Sequence, residues 1–235
     1  MSTASVLELS RQTAMTSVTL ETQDCANGSA GRLTQVTSWP DTRDPPTEMS
    51  TADAPVIYTV GHSTRSLAEL LELLSGAGVS ELVDVRSVPR SRRHPHFSGD
   101  ALARDLPARG IEYTHEPALG GFRSPTTDSP NGGWQHQSFR GYADHMESEE
   151  FQAALQRLAH RGRAHTSALM CAESNWRRCH RRLIADALLV RGWRVRHLGL
   201  ERKPVPHELT PFAVLGPDER LTYPPLQVSL LEGPS

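Results

Sequence analysis

The chain has 235 residues, a formal net charge of −2, 37% hydrophobic residues, and 17 each of Gly and Pro. That length suits one domain with tails or two small domains, and the near-neutral balance excludes a global basic field directed at nucleic acid. Three cysteines, and a first stretch that holds Glu8 and Arg11 but no apolar run, argue against a disulfide framework, a secretory leader and a membrane span; cytosol is the expected location, with no membrane partner.

Met1 to about Ala54 is rich in Ser, Thr, Asp and Gln without a sustained apolar period, so residues 1–54 are expected to be a disordered tail in which Cys25 has no role. Val56 to Val60 reads as a buried strand ended by Gly61-His62-Ser63. Ser66 and Glu69 form a capping box before the leucines 67, 70, 71, 73 and 74, which predicts an amphipathic helix closed by Gly76 and Gly78. Glu81 to Arg86 is the second strand, followed by a Pro- and Arg-rich loop through Phe97. A short helix capped by Ser98 and a strand over Ile111 to Thr114 come next.

Leu119 to Gln137 is a long irregular stretch, the kind that is usually functional or mobile, and it is a candidate lid. Helices are expected over Phe139 to Met146 and Glu149 to His160, a strand over Thr166 to Cys171, a helix over Cys179 to Arg191 and a last strand over Trp193 to His197. Beyond Leu200 the chain turns polar and Pro-rich, so residues 201–235 are expected to be extended and poorly packed. Strand–helix alternation over 55–200 predicts a single α/β domain: a Rossmann-like, open, mainly parallel sheet flanked by helices.

Ligands of such a sheet bind outside the carboxyl ends of the strands. Three of those ends carry chemistry: Gly61-His62-Ser63, Asp84-Val85-Arg86 and Cys171-Ala172-Glu173. His62 suits an acid/base or ligand role, or a plain hydrogen bond to backbone. Asp84 sits in an apolar strand, where a carboxylate must be paired; it either pairs with an arginine such as Arg86 or orients a catalytic group. Cys179 falls at the start of a helix among Arg177, Arg178, His180, Arg181 and Arg182, which favours a thiolate. Glu173, partly walled off by its loop, would be a second acid/base group. The arginines from Arg86 to Arg93, with His94 and His96, suit an anion, and Trp134 and Trp176 either stack on a base or plug loops onto the core. The spacing of Cys171, Cys179 and His180 (or His62) matches no common zinc finger or ribbon, so no metal ligand is assigned. Walker A, G-x-G-x-x-G and H-E-x-x-H patterns are lacking, and the cofactor stays unknown.

Thr59-Val60-Gly61-His62-Ser63, Asp84-Val85-Arg86 with Pro89, Leu119-Gly120-Gly121, the Phe139–Tyr142–His145–Met146 helix and Cys171-Ala172-Glu173…Cys179-His180-Arg181 together resemble the Domain of Unknown Function 488 family. The resemblance runs from about Val56 to Leu200. It implies one Rossmann-like α/β domain and no agreed activity. Family members often carry a charged, proline-containing stretch where this chain has Ser174-Asn175-Trp176-Arg177-Arg178. Taken together, the motifs set His62, Asp84, Glu173 and Cys179 as catalytic candidates. Ser63, Arg86, Cys171, His180, Arg181, Gly120, Gly121 and Tyr142 are the substrate-binding candidates. The leading expectation is an enzyme acting on a small phosphate- or carboxylate-bearing, nucleotide-like molecule. A non-catalytic module for a nucleotide or single-stranded nucleic acid, and a protein with a structural Cys/His metal clasp, are the alternatives.

Overall fold

The computed structural model describes residues 54–217 and 220–225. The N-terminal stretch expected to be disordered, Cys25 included, lies outside the described residues, as does the end of the Pro-rich segment. Five strands run parallel: β1 (Val56–Gly61), β2 (Glu81–Asp84), β3 (Glu112–His115), β4 (Ser167–Cys171) and β5 (Arg194–His197). A short β6 (Val205–Pro206) adds antiparallel to β5, and β7 (Val214–Leu215) pairs with β8 (Leu221–Thr222) as a separate ribbon. The sheet order is β3-β2-β4-β1-β5-β6. This is the open, mainly parallel α/β sheet that the alternation of elements predicts. In the common doubly wound order the first two strands are neighbours; here β4 lies between them.

Strand parity explains the two cores. Successive side chains of a strand point to opposite faces. Ala168 and Met170 of β4 therefore join Leu82 on one face, while Leu169 and Cys171 join Val83 on the other. Helices α1 (Leu67–Gly76) and α2 (Gly99–Asp105) cover the first face with Leu70, Leu74 and Leu102. The second is covered by α3 (Gln137–His145), α4 (Glu149–Ala164) and α5 (Arg181–Leu189), with Tyr142, Phe151, Leu155, Leu183 and Ile184. Residues of β2 and β4 are all buried, as expected of central parallel strands. The predicted capping box is formed: Glu69 N–H donates to Ser66 Oγ (3.2 Å) and Ser66 N–H to Glu69 Oε2 (2.6 Å). Among the described residues no helix is long and apolar enough to cross a membrane.

Two sequence expectations change. The segment after Leu200 is not loosely packed over its described part, because α5 buries a carboxylate that this segment satisfies. Asp186 accepts from His207 Nε2–H (2.8 Å), Thr210 N–H (3.0 Å), the Thr210 hydroxyl (2.7 Å) and the Tyr223 hydroxyl (2.9 Å). An unpaired buried carboxylate would be costly, so these four donors fix the returning chain. The loop from Leu119 to Gln137 is likewise held down. Asp144 on α3 takes hydrogen bonds from Thr126, Ser129 and Asn131, and Asn131 in turn accepts from Tyr223 N–H (2.9 Å).

The chain of hydrogen bonds continues inward from His207. With His207 Nε2–H committed to Asp186, its Nδ1 accepts from His197 Nε2–H (3.1 Å), and His197 Nδ1 accepts from the Thr59 hydroxyl (2.7 Å). Burial, then the neighbouring His207, Arg181 and Arg177, push the His197 pKa from 6.5 down to about 2. An imidazole in the unfolded chain protonates near its ordinary value, so below about pH 6.5 the unfolded state binds the extra proton and stability falls as pH is lowered. We expect urea unfolding to show stability declining from pH 7 toward about pH 4, with His197→Gln removing up to about 1.4 kcal/mol per pH unit of that slope. An unchanged slope in the variant would contradict this account.

Candidate functional site

Because β2, β4 and β1 are adjacent, their carboxyl ends form one edge, with Gly61 opposite Cys171 and Asp84 opposite Met170. A cavity of about 680 Å³ opens there. His62, Arg86, Cys171, Glu173, Cys179, His180, Gly121 and Tyr142 line it; Asp84, Ser63, Gly120 and Arg181 do not.

The turn after β1 is shaped by a backbone contact. A Cβ on Gly61 would lie 2.0 Å from the Glu173 carbonyl oxygen, so only glycine lets β1 and the β4–α5 loop approach this closely. His62 N–H and Ser63 N–H extend the ladder to the carbonyls of Cys171 and Ala172 (both 2.9 Å). Ser63 adopts φ 47° and serves the site through its backbone, by this N–H and by the carbonyl that receives His62.

Asp84 is a structural anchor rather than a group facing the cavity. It is fully buried and accepts from Arg86 N–H (3.1 Å), Arg86 Nε–H (2.8 Å) and the Tyr113 hydroxyl (2.8 Å). Arg86 completes itself on the Phe97 carbonyl (2.7 Å) and on His62 Nε2 (3.3 Å). Of the two expectations for Asp84, the pairing with Arg86 is formed, and its carboxylate does not line the cavity. His62 has both nitrogens engaged, Nδ1–H donating to the Ser63 carbonyl (3.0 Å) and Nε2 accepting from Arg86. Burial, then the Arg86 charge, push its pKa from 6.5 to about 4, so it is a neutral wall of the site at pH 7.

The opposite wall comes from the loop between β4 and α5. Cys171 ends β4; a 3-10 turn over Trp176–Arg178 then delivers Cys179, and His180 leads into α5. His180 Nε2–H donates to the Val85 carbonyl (3.0 Å), which turns Nδ1 toward Cys179 Sγ (3.7 Å) and Cys171 Sγ (4.0 Å). Burial raises the Cys179 thiol, but the Cys171 hydrogen bond and the charges of His180 and Arg181 outweigh it and hold Cys179 well below the usual thiol range. The Cys171 thiol, donating to that thiolate and itself buried, is held well above it. Arg181 is 1% exposed and stands behind Cys179. It gives Nε–H to the thiol sulfur (3.4 Å), one terminal nitrogen to Thr59 Oγ1 (3.4 Å) and the other to the carbonyls of Glu173 and Ser174. Its guanidinium is thus spent on holding the loop, not on a substrate. Glu173 is exposed, and its carboxylate accepts from Asn175 N–H (3.0 Å) and the Ser174 hydroxyl (3.3 Å); the walling-off expected from the sequence is not formed.

On the third side, Gly121 packs against His180, where a Cβ would approach Nδ1 to 3.0 Å, while Gly120 lies behind against Ser87. Tyr142 donates its hydroxyl to the Leu119 carbonyl (2.8 Å) and sets its ring 5.1 Å from that of His180. Trp134 and Trp176 are plugs: the first stacks on Phe139 (4.8 Å) and the second on His197 (3.7 Å). Sequence reasoning missed Phe122, Phe139 and His136 in the lining. Phe122 is 96% exposed at φ 61°. The sequence signal for it was slight, an aromatic residue directly after Gly120-Gly121.

Breaking the Asp84–Arg86 pair leaves a buried guanidinium without its counter-charge. Asp84→Ala is expected to lower stability by about 3–5 kcal/mol, whereas Tyr113→Phe, which spares the pair, costs about 1–2 kcal/mol. Urea denaturation of both variants measures this; equal effects would mean that the ion pair is not the anchor.

A family model described as domain of unknown function DUF488 matches residues 66–188, from the cap of α1 to near the end of α5. No curated protein and no solved structure matches the chain. The matched residues are more than half of the 235 and include β2, β4, both thiols and His180, so the chain belongs to the DUF488 family.

Proposed function

We propose that the protein is an enzyme acting on a phosphate- or carboxylate-bearing, nucleotide-like substrate, with the reacting group of that substrate set against Cys179 and His180. The observation that carries this reading is that one cavity holds three kinds of group together: the thiol–imidazole wall, exposed arginines and aromatic rings. Arg90, Arg177 and Arg178 are exposed along the lining and form no ion pair among the described residues, unlike Arg86 and Arg181, which are spent on the framework. Guanidinium forks of this kind match phosphate and carboxylate oxygens. Phe122 and Phe139 offer ring faces to a flat group, which a base would supply. A nucleophile beside an imidazole that a third group orients is the arrangement of covalent and acid/base catalysis. Here Cys179, His180 and the Val85 carbonyl stand in those three places. Proton handling is therefore assigned to His180, whose Nδ1 faces the cavity thiols, in place of His62.

The test is binding and turnover of nucleoside 5′-monophosphates and of simple carboxylates by the full chain. Affinity should fall as salt rises, and Arg177→Glu with Arg178→Glu should weaken nucleotide binding by at least about tenfold, equivalent to 1.4 kcal/mol. Turnover should disappear in His180→Ala at unchanged fold. Binding indifferent to both arginines would refute the anion site, and tight binding without turnover across the panel would make the protein a binding module.

A further inference from the structure

Two sulfurs and one imidazole nitrogen converge on one point at this site, a closer gathering of soft donor atoms than a nucleophile and its base require. With Nε2–H committed to the Val85 carbonyl, the neutral His180 ring turns its Nδ1 lone pair toward the two sulfurs. Cys179 Sγ lies 3.7 Å and Cys171 Sγ 4.0 Å from it, and the three atoms are all within 4.8 Å of one another. A nucleophilic cysteine with a base needs only one of those sulfurs.

We propose that Cys171, Cys179 and His180 ligate one divalent cation of the zinc type, with the fourth coordination position open to the cavity. The separations fit. With bonds of about 2.3 Å to sulfur and about 2.0 Å to nitrogen, tetrahedral geometry sets sulfur and nitrogen about 3.5 Å apart and the two sulfurs about 3.8 Å apart. An ion between the three atoms satisfies all three lone pairs at once: both sulfur–nitrogen distances lie within about half an ångström of the bonded geometry, and the two sulfurs, no more than 4.8 Å apart, close by about 1 Å at most.

The surroundings are those of a ligand set. A metal-bound imidazole characteristically donates its other N–H to a carbonyl or carboxylate, as His180 does to Val85. Arg181 donates to the Cys179 sulfur (3.4 Å) and so fixes its direction. Two thiolates and a divalent cation sum to no net charge, which makes the set cheap to bury where separate ions would not be. Each ligand is also held by backbone: Cys171 as the last residue of β4, Cys179 after the 3-10 turn, and His180 at the entry to α5.

All three residues line the 680 Å³ cavity, and three protein ligands with one open position is the pattern of reactive rather than purely structural zinc. A bound ion occupies the lone pairs of Cys179 and His180, so the thiol–imidazole chemistry proposed above belongs to the metal-free chain; in the loaded chain the ion would instead polarise an oxygen of whatever reaches the open position. Metal uptake itself does not rest on the nucleotide-like reading above, since it is measured without any substrate.

The experiment uses the full chain carrying Cys25→Ser, stripped with a chelator and titrated with cobalt(II). Saturation is expected at one equivalent, with a sulfur-to-cobalt charge-transfer band and the intense visible bands of a four-coordinate ion, both erased when zinc is added. Cys171→Ser and Cys179→Ser should each weaken cobalt affinity by at least about tenfold and reduce the charge-transfer band; the double variant should lose it. X-ray absorption of the zinc-loaded chain needs no substitution at the site and should show two sulfur neighbours at about 2.3 Å. Octahedral cobalt without a charge-transfer band, a band that survives in the double variant, or zinc surrounded only by light atoms would each overturn the proposal. Repeating the nucleotide-binding measurement on the chelator-stripped chain lets failure here and failure of the anion site be read separately.

Discussion

One guanidinium group connects the pieces of this molecule. Arg181, buried at the entry to α5, ties the Cys179 sulfur, the Glu173 and Ser174 carbonyls and Thr59 of β1 to a single planar fork. A guanidinium presents five N–H donors in fixed directions, and leaving them unmet in the interior is expensive. The β4–α5 loop must therefore curl back over β1, and the missing Cβ of Gly61 lets it do so. From Thr59 the polar chain passes through His197 and His207 to Asp186, which holds Thr210 and Tyr223 of the returning C-terminal segment. The thiols at the sheet edge and the segment from Thr210 to Tyr223 thus belong to one hydrogen-bonded system.

The arginines divide by burial into two kinds of work. Arg86 and Arg181 are enclosed and fully partnered, and they fix His62, Asp84 and the thiol loop in place. Arg90, Arg177 and Arg178 project at the cavity lining, where an anion can meet them without leaving a framework carboxylate unpaired. A net charge of −2 over the whole chain is compatible with this, because the total does not prevent three exposed arginines from meeting at one cavity.

Much of the fold and the position of the site were legible in the sequence, because both follow from short-range pattern. Apolar runs of strand length, the Ser66–Glu69 box and helix periodicity define the elements, and parallel topology then brings His62, Arg86 and Cys171 to the same edge. Roles were harder to read, since they depend on partners that sequence distance hides. Asp84 and Glu173 looked catalytic as isolated carboxylates; one is consumed by Arg86 and Tyr113, the other by the amide and hydroxyl of its own loop. Asp186 looked like an ordinary helix residue, yet it meets His207, Thr210 and Tyr223 from 21 to 37 positions further on. Pro-rich composition suggested a loose end, but composition carries no record of a buried carboxylate waiting for donors elsewhere in the chain.

The same distinction separates the parts of the cavity that are fixed from those that select. His62, Tyr142 and His180 each have a ring nitrogen or hydroxyl tied to a backbone carbonyl, so their orientations are set before any ligand arrives. Such preorganisation suits a reaction centre, where groups must not reorganise as charge develops. The rim is different: Phe122 is almost wholly exposed at a positive φ, and Arg90, Arg177 and Arg178 have no carboxylate partner among the described residues. Backbone held in a sparsely populated region persists only where its surroundings impose it. Gly121 beside it is packed on His180, so the backbone that carries the exposed phenyl ring borders the thiol wall. The exposed rim and the thiol–imidazole wall thus meet at two adjacent residues of one loop.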